Sequence, residues 1–180
     1  SSGKNNNGNE NFCYLESSLN PCFDPNQDGI TTFVTDKTVM DVIEEQEVME
    51  GFEEQLPLTN IFNAYKLGNF PPLCPFQESE LVIKTNNDWD RFRNSCFFSI
   101  HDLLELDFAD DMVLVSIQEF GQLETMIVAV LEFHDHLTAI IDDINFPPPP
   151  SPGNSINIIS LSRTDKPVDF IRVENDFSPF

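Results

Sequence analysis

The chain has 180 residues, of which 40% are hydrophobic, so it can form a folded core and wholesale disorder is excluded. Asp and Glu number 31 against 9 Lys and Arg, which gives a formal net charge of −22. Nucleic-acid affinity depends largely on Lys and Arg, so this balance excludes nucleic acid as a partner and disfavours anionic membranes. It can attract cations or a basic protein surface, but better solubility or adaptation to a salty medium is the preferred interpretation. No apolar stretch approaches the roughly 20 residues that a transmembrane helix needs.

Residues 1–11, SSGKNNNGNEN, are rich in Asn, Gly and Ser, which is typical of a flexible tether. Tethers of this composition commonly follow the lipid-modified cysteine of bacterial envelope lipoproteins. The sequence therefore predicts an extracytoplasmic protein, in the periplasm or on the outer surface of a bacterium, with an N-terminal lipid anchor in its native form. A frayed terminus or residues left from cloning would have the same composition.

Residues 12–73 form an acidic N-terminal region, and two of the four cysteines lie within it. An even number of cysteines favours an oxidising compartment, and four cysteines allow three pairings. The turn expected at Asn20-Pro21 favours a disulfide between Cys13 and Cys22, which leaves Cys74 to pair with Cys96. Zinc is the alternative, but the chain has no CxxC pair and no His at ligand spacing from a Cys.

The segment DPNQDGI at residues 24–30 matches the opening of a calcium-binding loop. The predicted ligands are three side chains and one backbone carbonyl, those of Asp24, Asn26, Asp28 and Ile30. In an EF-hand the twelfth loop position is a bidentate Glu, whereas here it is Thr35, so this is not a regular EF-hand. A plain turn rich in Asp and Asn is the alternative. We expect no cofactor, with calcium at this loop as the one candidate.

Apolar residues between positions 38 and 55 approximate a helical stripe, with Thr35 or Asp36 as the expected cap. Because the same stretch also alternates in part, a strand is the alternative. A short helix is expected around Ile61 to Leu67.

Residues 74–180 predict an α+β domain. A strand at 78–84 precedes a helix that is capped by Asn86 or Asn87 and places Trp89, Phe92 and Cys96 on one face. Further strands are expected at 112–120, 124–133, 137–146, 155–163 and 168–173, the first three as a meander. The expected fold is a mainly antiparallel sheet of about five strands with one packed helix.

Several features of this region occur in a familiar order. Asp88-Trp89-Asp90 lies on the helix, Asp107-Phe108 precedes the strand at 112, and a Pro-rich loop leads to final strands that include Pro167-Val168. This order resembles the PrcB-like C-terminal domain and related bacterial envelope lipoproteins over roughly residues 78–174. The resemblance implies a non-catalytic, extracytoplasmic protein that binds or stabilises another protein, and it transfers no catalytic residue.

Motifs for catalysis are absent from the sequence. It contains no GxSxG elbow and no Gly-rich loop followed by Lys. His134-Asp135-His136 is expected to be a polar turn, with a transition-metal site as the alternative. The acidic run from Asp102 to Asp111 is either a solvated face or a surface for a cation or a basic partner.

We therefore predict a non-catalytic module that binds an unidentified protein partner. A calcium-dependent binding or structural protein of the cell envelope is the alternative. A hydrolase that acts through paired carboxylates is a third hypothesis.

Overall fold

The computed structural model describes residues 29–67, 80–95, 106–121, 123–145 and 153–176. These residues contain nine strands and two helices, and neither helix is long and apolar enough to cross a bilayer. The strands are β1 (Thr31–Thr35), β2 (Glu54–Gln55), β3 (Thr59–Leu67), β4 (Glu80–Ile83), β5 (Asp111–Gly121), β6 (Leu123–Glu132), β7 (Leu137–Asn145), β8 (Gly153–Ser162) and β9 (Val168–Asp176). The helices are α1 (Val39–Glu45), which continues as a π-helical turn over Gln46–Glu50, and α2 (Asn86–Ser95).

The strands form two sheets, which we name sheet A and sheet B. Sheet A has the order β1-β9-β7-β6-β2, in which β9 is parallel to both β1 and β7. Sheet B has the order β3-β8-β5-β4 and is antiparallel throughout. One apolar cluster joins side chains of both sheets, including Leu114 of β5, Ile159 of β8 and Phe170 of β9. The two sheets therefore pack face to face.

Each helix covers the outer face of one sheet, which gives four layers in the order helix, sheet, sheet, helix. Trp89 and Phe92 of α2 pack on the outer face of sheet B, against a cluster that includes Val115 of β5. Val42 of α1 packs with Leu131 and other residues on the outer face of sheet A. Alternate side chains of a strand point to opposite faces, so a strand between two apolar layers needs apolar residues at successive positions.

Local sequence explains where the helices begin and end. The hydroxyl of Thr38 accepts a hydrogen bond from the backbone N–H of Asp41, whose carboxylate in turn accepts from the N–H of Thr38. This capping box starts α1. At the far end, the N–H of Gly51 bonds to the carbonyl of Gln46, and Gly51 adopts a left-handed φ of 69°, which ends the helical segment. The hydroxyl of Thr85 caps α2 by accepting from the N–H of Asp88.

The predicted α+β class is confirmed, but the predicted single sheet with one helix is wrong. The segment 112–120 does not pair with 124–133, because β5 lies in sheet B and β6 lies in sheet A. Instead β5 pairs with β4 and β8, which are distant in sequence. The continuous apolar run of β5 reflects burial against α2 on one side and sheet A on the other.

Several elements of the N-terminal region also differ from expectation. Residues 59–67 form β3 rather than the helix expected from Ile61 to Leu67. The expected helix within 38–55 is present at Val39–Glu50, and it is capped by Thr38 rather than by Thr35 or Asp36. β1 pairs with β9 and β3 pairs with β8, so the described parts of the predicted 12–73 and 74–180 regions share both sheets. The predicted tether at 1–11 lies outside the described residues.

Candidate functional site

The space between the two sheets changes from apolar to polar along its length. Near one end it is filled by Met112, Leu137 and Leu161. Toward the other end the inward-facing positions carry buried polar and charged side chains instead, among them Glu80, Ser116, Asp143 and Arg172. Burying a charge is energetically costly unless the charge is paired and hydrogen-bonded, so each charged side chain of this cluster should have a partner.

Arg172 of β9 is the centre of that cluster, and only 1% of its surface is exposed. Its Nε donates to Oε2 of Glu80 at 2.6 Å, and its Nη1 donates to both carboxylate oxygens of Asp143 at 2.9 and 2.8 Å. Its Nη2 donates to the hydroxyl of Ser116 at 2.9 Å and to the carbonyl of Ile117 at 3.4 Å. All three nitrogens of the guanidinium group therefore donate hydrogen bonds inside the protein.

The same cluster ties the two sheets together. Arg172 and Asp143 belong to sheet A, whereas Glu80 and Ser116 belong to sheet B. The second oxygen of Glu80 accepts a hydrogen bond from the hydroxyl of Thr31 at 2.7 Å. Because all three nitrogens of Arg172 already donate to groups inside the protein, the geometry favours a structural role over ligand binding.

A second polar bridge lies beside the first. The side-chain oxygen of Asn157, on β8, accepts from the N–H of Ile127 on β6 at 2.8 Å. Its amide nitrogen donates to Oδ1 of Asn60 at 2.7 Å and to the carbonyl of Phe62 at 3.2 Å, where the pairing of β3 with β8 is irregular. Both bridges satisfy buried polar groups between strands, so neither provides an open site.

One of the two edges of sheet A is more open to partners than its interior. β1 lies at this edge and pairs only with β9 among the described strands. The carbonyl of Ile30 accepts from the N–H of Phe170. The backbone N–H and C=O groups of Ile30 and of every second residue after it therefore point toward β9. The backbone N–H and C=O groups of Thr31, Phe33 and Thr35 consequently point outward. The side chains of Ile30 and Phe33 are 68% and 73% exposed.

A second exposed surface lies on α1 and the π-helical turn. It combines three exposed apolar side chains with three exposed carboxylates, and we name these residues the acidic helical surface: Met40, Glu44, Glu47, Val48, Met49 and Glu50. The apolar members are 71% (Met40), 77% (Val48) and 75% (Met49) exposed. Exposed apolar side chains mark interaction sites where they form a patch, and these three belong to one short helical segment.

A polar cleft of about 330 Å³ separates the start of α1 from the end of β9. Its lining combines carboxylates with one lysine and hydroxyl or amide groups: Thr35, Asp36, Lys37, Thr38, Asp41, Glu174 and Asn175. Part of this lining is already engaged, since the ammonium of Lys37 lies 2.7 Å from a carboxylate oxygen of Glu45. Within the described ranges, no group of three or more His, Cys, Asp or Glu side chains could hold a metal ion.

Among the residues that the structure describes, two carboxyl groups have perturbed pKa values. Partial burial raises the pKa of Asp142, an effect strengthened by the charge of Asp143 and opposed by the hydrogen bond from Asn175. The hydrogen bond with His136 lowers the pKa of Asp135, which is fully exposed in the turn between β6 and β7. That turn was predicted at His134-Asp135-His136 and is confirmed, and the ring of His136 stacks on Phe133.

Most of the predicted site residues lie outside the described ranges. These are three predicted calcium ligands and the four cysteines: Asp24, Asn26, Asp28, Cys13, Cys22, Cys74 and Cys96. Ile30, the fourth predicted ligand, lies at the start of β1, and its N–H donates to a carboxylate oxygen of Asp169 at 3.1 Å. In the acidic run, Asp107 lies at the start of a turn, and its carboxylate accepts from the N–H of Ala109.

The sequence reasoning missed Arg172 and its partners, although a signal exists. Val168, Phe170 and Arg172 share one face of β9, so Arg172 is a charged residue at a core position. Asp143 occupies the equivalent position on β7, on the same face of the strand as Ala139 and Ile141. Opposite charges at core positions of two strands favour a buried pair, but they do not identify which strands are neighbours.

Comparison with known proteins gives no relative from which a role can be transferred: no protein-family model, no curated protein and no solved structure matches the chain.

Proposed function

We propose that this chain is a non-catalytic protein-binding module that acts outside the bacterial cytoplasm, as the likeness to PrcB-like domains and envelope lipoproteins implies. In this proposal an extended segment of a partner protein adds to the free edge of β1. The observation that carries it is the exposure of Phe33 beside outward-pointing backbone groups at that edge.

The edge offers the two components of strand addition. Unpaired backbone groups of an edge strand can bond to an incoming strand, which supplies affinity without a sequence requirement. The exposed side chains of Ile30 and Phe33 supply apolar contact, which selects partners with matching side chains. A partner strand would thus extend sheet A beyond β1.

Further observations support binding rather than catalysis and a location outside the cytoplasm. The buried charges at Glu80, Asp143 and Arg172 bond to one another, so they are committed to holding the sheets together. The even number of cysteines supports an oxidising compartment.

Site-specific photo-crosslinking in a native envelope extract tests the proposal. A photoreactive residue at Phe33 should capture a defined protein, whereas the same residue at the exposed position Asn87 of α2 should not. The captured protein, once purified, should bind wild type and Phe33→Ala more tightly than Phe33→Pro, because only proline removes the outward N–H as well as the ring. Equal capture at both positions, or equal affinity for Phe33→Ala and Phe33→Pro, would contradict strand addition.

A calcium-dependent binding or structural role is the second candidate. It rests on the motif at 24–30 and on the position of Ile30, which connects that motif directly to β1. Calcium would then act on the same edge of sheet A that we propose as the binding site.

A further inference from the structure

We propose that the acidic helical surface binds a cationic, amphipathic segment of another protein, at a site separate from the edge of β1. This goes beyond strand addition, because it involves side chains of α1 and the π-helical turn rather than the backbone of a strand.

The apolar residues of this surface are not needed to hold the helix in place. α1 packs on sheet A through Val42, which is buried, and through the partly buried side chains of Val39 and Ile43. Phe52 anchors the segment after the helix by an edge-to-face contact with Phe133, with ring centroids 6.3 Å apart. Met40, Val48 and Met49 lie outside this packing and remain exposed. Methionine adapts its shape readily, which suits a binding surface.

The charges of this surface are unfavourable in the free protein. Glu44, Glu47 and Glu50 place three like charges in the second half of one short helical segment, Val39–Glu50. They also lie toward its C-terminal end, where the helix dipole disfavours negative charge and where the segment carries no basic residue. None of the three forms an ion pair with any residue that the structure describes, whereas neighbouring Glu45 is paired with Lys37.

These features specify the chemistry of the occupant. Lysine or arginine side chains would relieve the repulsion among the three glutamates, and apolar side chains on the same segment would cover Met40, Val48 and Met49. A second copy of this chain is a poor candidate, because two chains of net charge −22 repel each other. We therefore assign the surface to a basic partner segment that presents an apolar face.

Binding of synthetic peptides to the full chain tests this assignment. The probe is a Leu/Lys peptide of about 18 residues, roughly five helical turns, with leucine at helical spacing. One control peptide has the same composition in scrambled order, and another replaces every leucine with serine. The protein variants are Glu44→Gln/Glu47→Gln/Glu50→Gln and Met40→Ser/Val48→Ser/Met49→Ser. The matched control, Asp90→Asn/Asp110→Asn/Asp165→Asn, removes three exposed charges elsewhere.

We expect each variant of the surface to weaken binding roughly tenfold or more, a loss of about 1.4 kcal/mol, and the control variant to change it less than about twofold. Raising the salt concentration should weaken binding to wild type more than to the glutamine variant. Amide chemical shifts should change at residues 39–50. Three results would overturn the assignment: equal losses in the control variant, equal binding of the serine peptide, or shift changes confined to β1. The last would leave strand addition intact.

Discussion

Arg172 and Glu80 belong to different sheets, yet Nε of the arginine lies 2.6 Å from Oε2 of the glutamate in the interior of the protein. Asp143 holds the same guanidinium from the other side through both of its carboxylate oxygens. Three buried charges therefore depend on one another, and the arginine is the only cation among them.

Replacing Arg172 with methionine should destabilise the fold severely. The substitution keeps a long side chain but leaves Glu80 and Asp143 buried without a cation, and breaking a buried pair in this way costs about 3–5 kcal/mol. Urea unfolding of wild type and Arg172→Met measures this loss. The triple variant Arg172→Met/Glu80→Gln/Asp143→Asn should recover part of it, because it removes the unpaired charges. A loss below about 1 kcal/mol in Arg172→Met would contradict the burial of the cluster.

Trp89→Ala should be among the most damaging single substitutions in the outer core of sheet B. Trp89 is 3% exposed, stacks on Phe92 and contacts Phe108, so its removal leaves a large cavity under α2. The expected loss in unfolding free energy is about 3–5 kcal/mol. Phe33→Ala is the control: it removes an aromatic ring from an exposed position and should change stability by no more than about 0.5 kcal/mol. Similar losses in the two variants would contradict the different burial of these rings.

Asp142→Asn should stabilise the protein at neutral pH. Burial raises the pKa of Asp142 in the folded state. The ionised carboxylate therefore lowers the free energy of unfolding whenever the pH is above that raised pKa. This destabilisation decreases as the pH drops through the folded pKa toward the ordinary value of 3.8, because Asp142 of the folded protein then becomes protonated. The amide that replaces the carboxylate keeps an oxygen that can accept from Asn175, so the hydrogen bond is retained.

Urea unfolding at a series of pH values between neutral and about 4 tests the direction of this pH dependence. The lower limit lies near the ordinary carboxyl pKa. The stability advantage of Asp142→Asn over wild type should shrink as the pH falls. Glu174→Gln removes an exposed charge from the adjacent strand β9 and corrects for the general effect of lowering the net negative charge. An advantage of Asp142→Asn that equals that of Glu174→Gln at every pH would contradict a burial effect.

A fragment of residues 74–180 should not unfold as one cooperative unit. Removing the preceding residues takes β1 from β9, β3 from β8, and the covering helix α1 from the outer face of sheet A. The remaining sheets would expose two new edges and an apolar face. Urea titration of the fragment and of the full chain, followed by tryptophan fluorescence, compares the two. A sharp transition in the fragment would establish that residues 74–180 form an independent domain.

The sequence predicts most strands well, because each is a short apolar run between turn residues. It fails on their pairing. The run MVLVSI in β5 indicates burial on both sides, but this pattern does not reveal that the covering layers are α2 and sheet A rather than the next strand in the chain. Residues 59–67 lie at the edge of sheet B and carry mixed polarity, so their pattern identifies no strand. Contacts between distant segments decide both cases.

The proposed surfaces were harder to predict for the same reason. Met49 counts toward a helical stripe in the sequence, and the stripe suggests burial, yet the structure leaves Met49 exposed because Val42 and Ile43 supply the contact with sheet A. Similarly, Phe33 lies in an apolar segment that suggests a core position. Its exposure follows from the position of β1 at the edge of sheet A, which depends on the pairing with β9.

Calcium should raise the melting temperature of the full chain if the motif at residues 24–30 binds it. Asp24, Asn26 and Asp28 supply oxygen ligands with two formal negative charges, and the twelfth position lacks the bidentate Glu, so the affinity should be roughly 10⁻⁴–10⁻³ M. Ile30 connects the motif to β1, and its carbonyl already bonds to the N–H of Phe170. An ion bound there would therefore favour the paired arrangement of β1 and β9, and binding to the folded state alone stabilises it by mass action.

Thermal melting in millimolar calcium, compared with chelator, tests this for wild type, Asp28→Ala and the control Asp110→Asn. The shift should be present in wild type and in Asp110→Asn, whose exposed side chain lies in a turn that its backbone holds to Asp107 and Arg163. It should be lost in Asp28→Ala, because only two of the side-chain ligands and one formal charge remain. A shift that persists in Asp28→Ala but disappears in Asp110→Asn would assign the ion to the acidic turn at 107–111. No shift in wild type would identify residues 24–29 as a plain turn and leave strand addition at β1 independent of calcium.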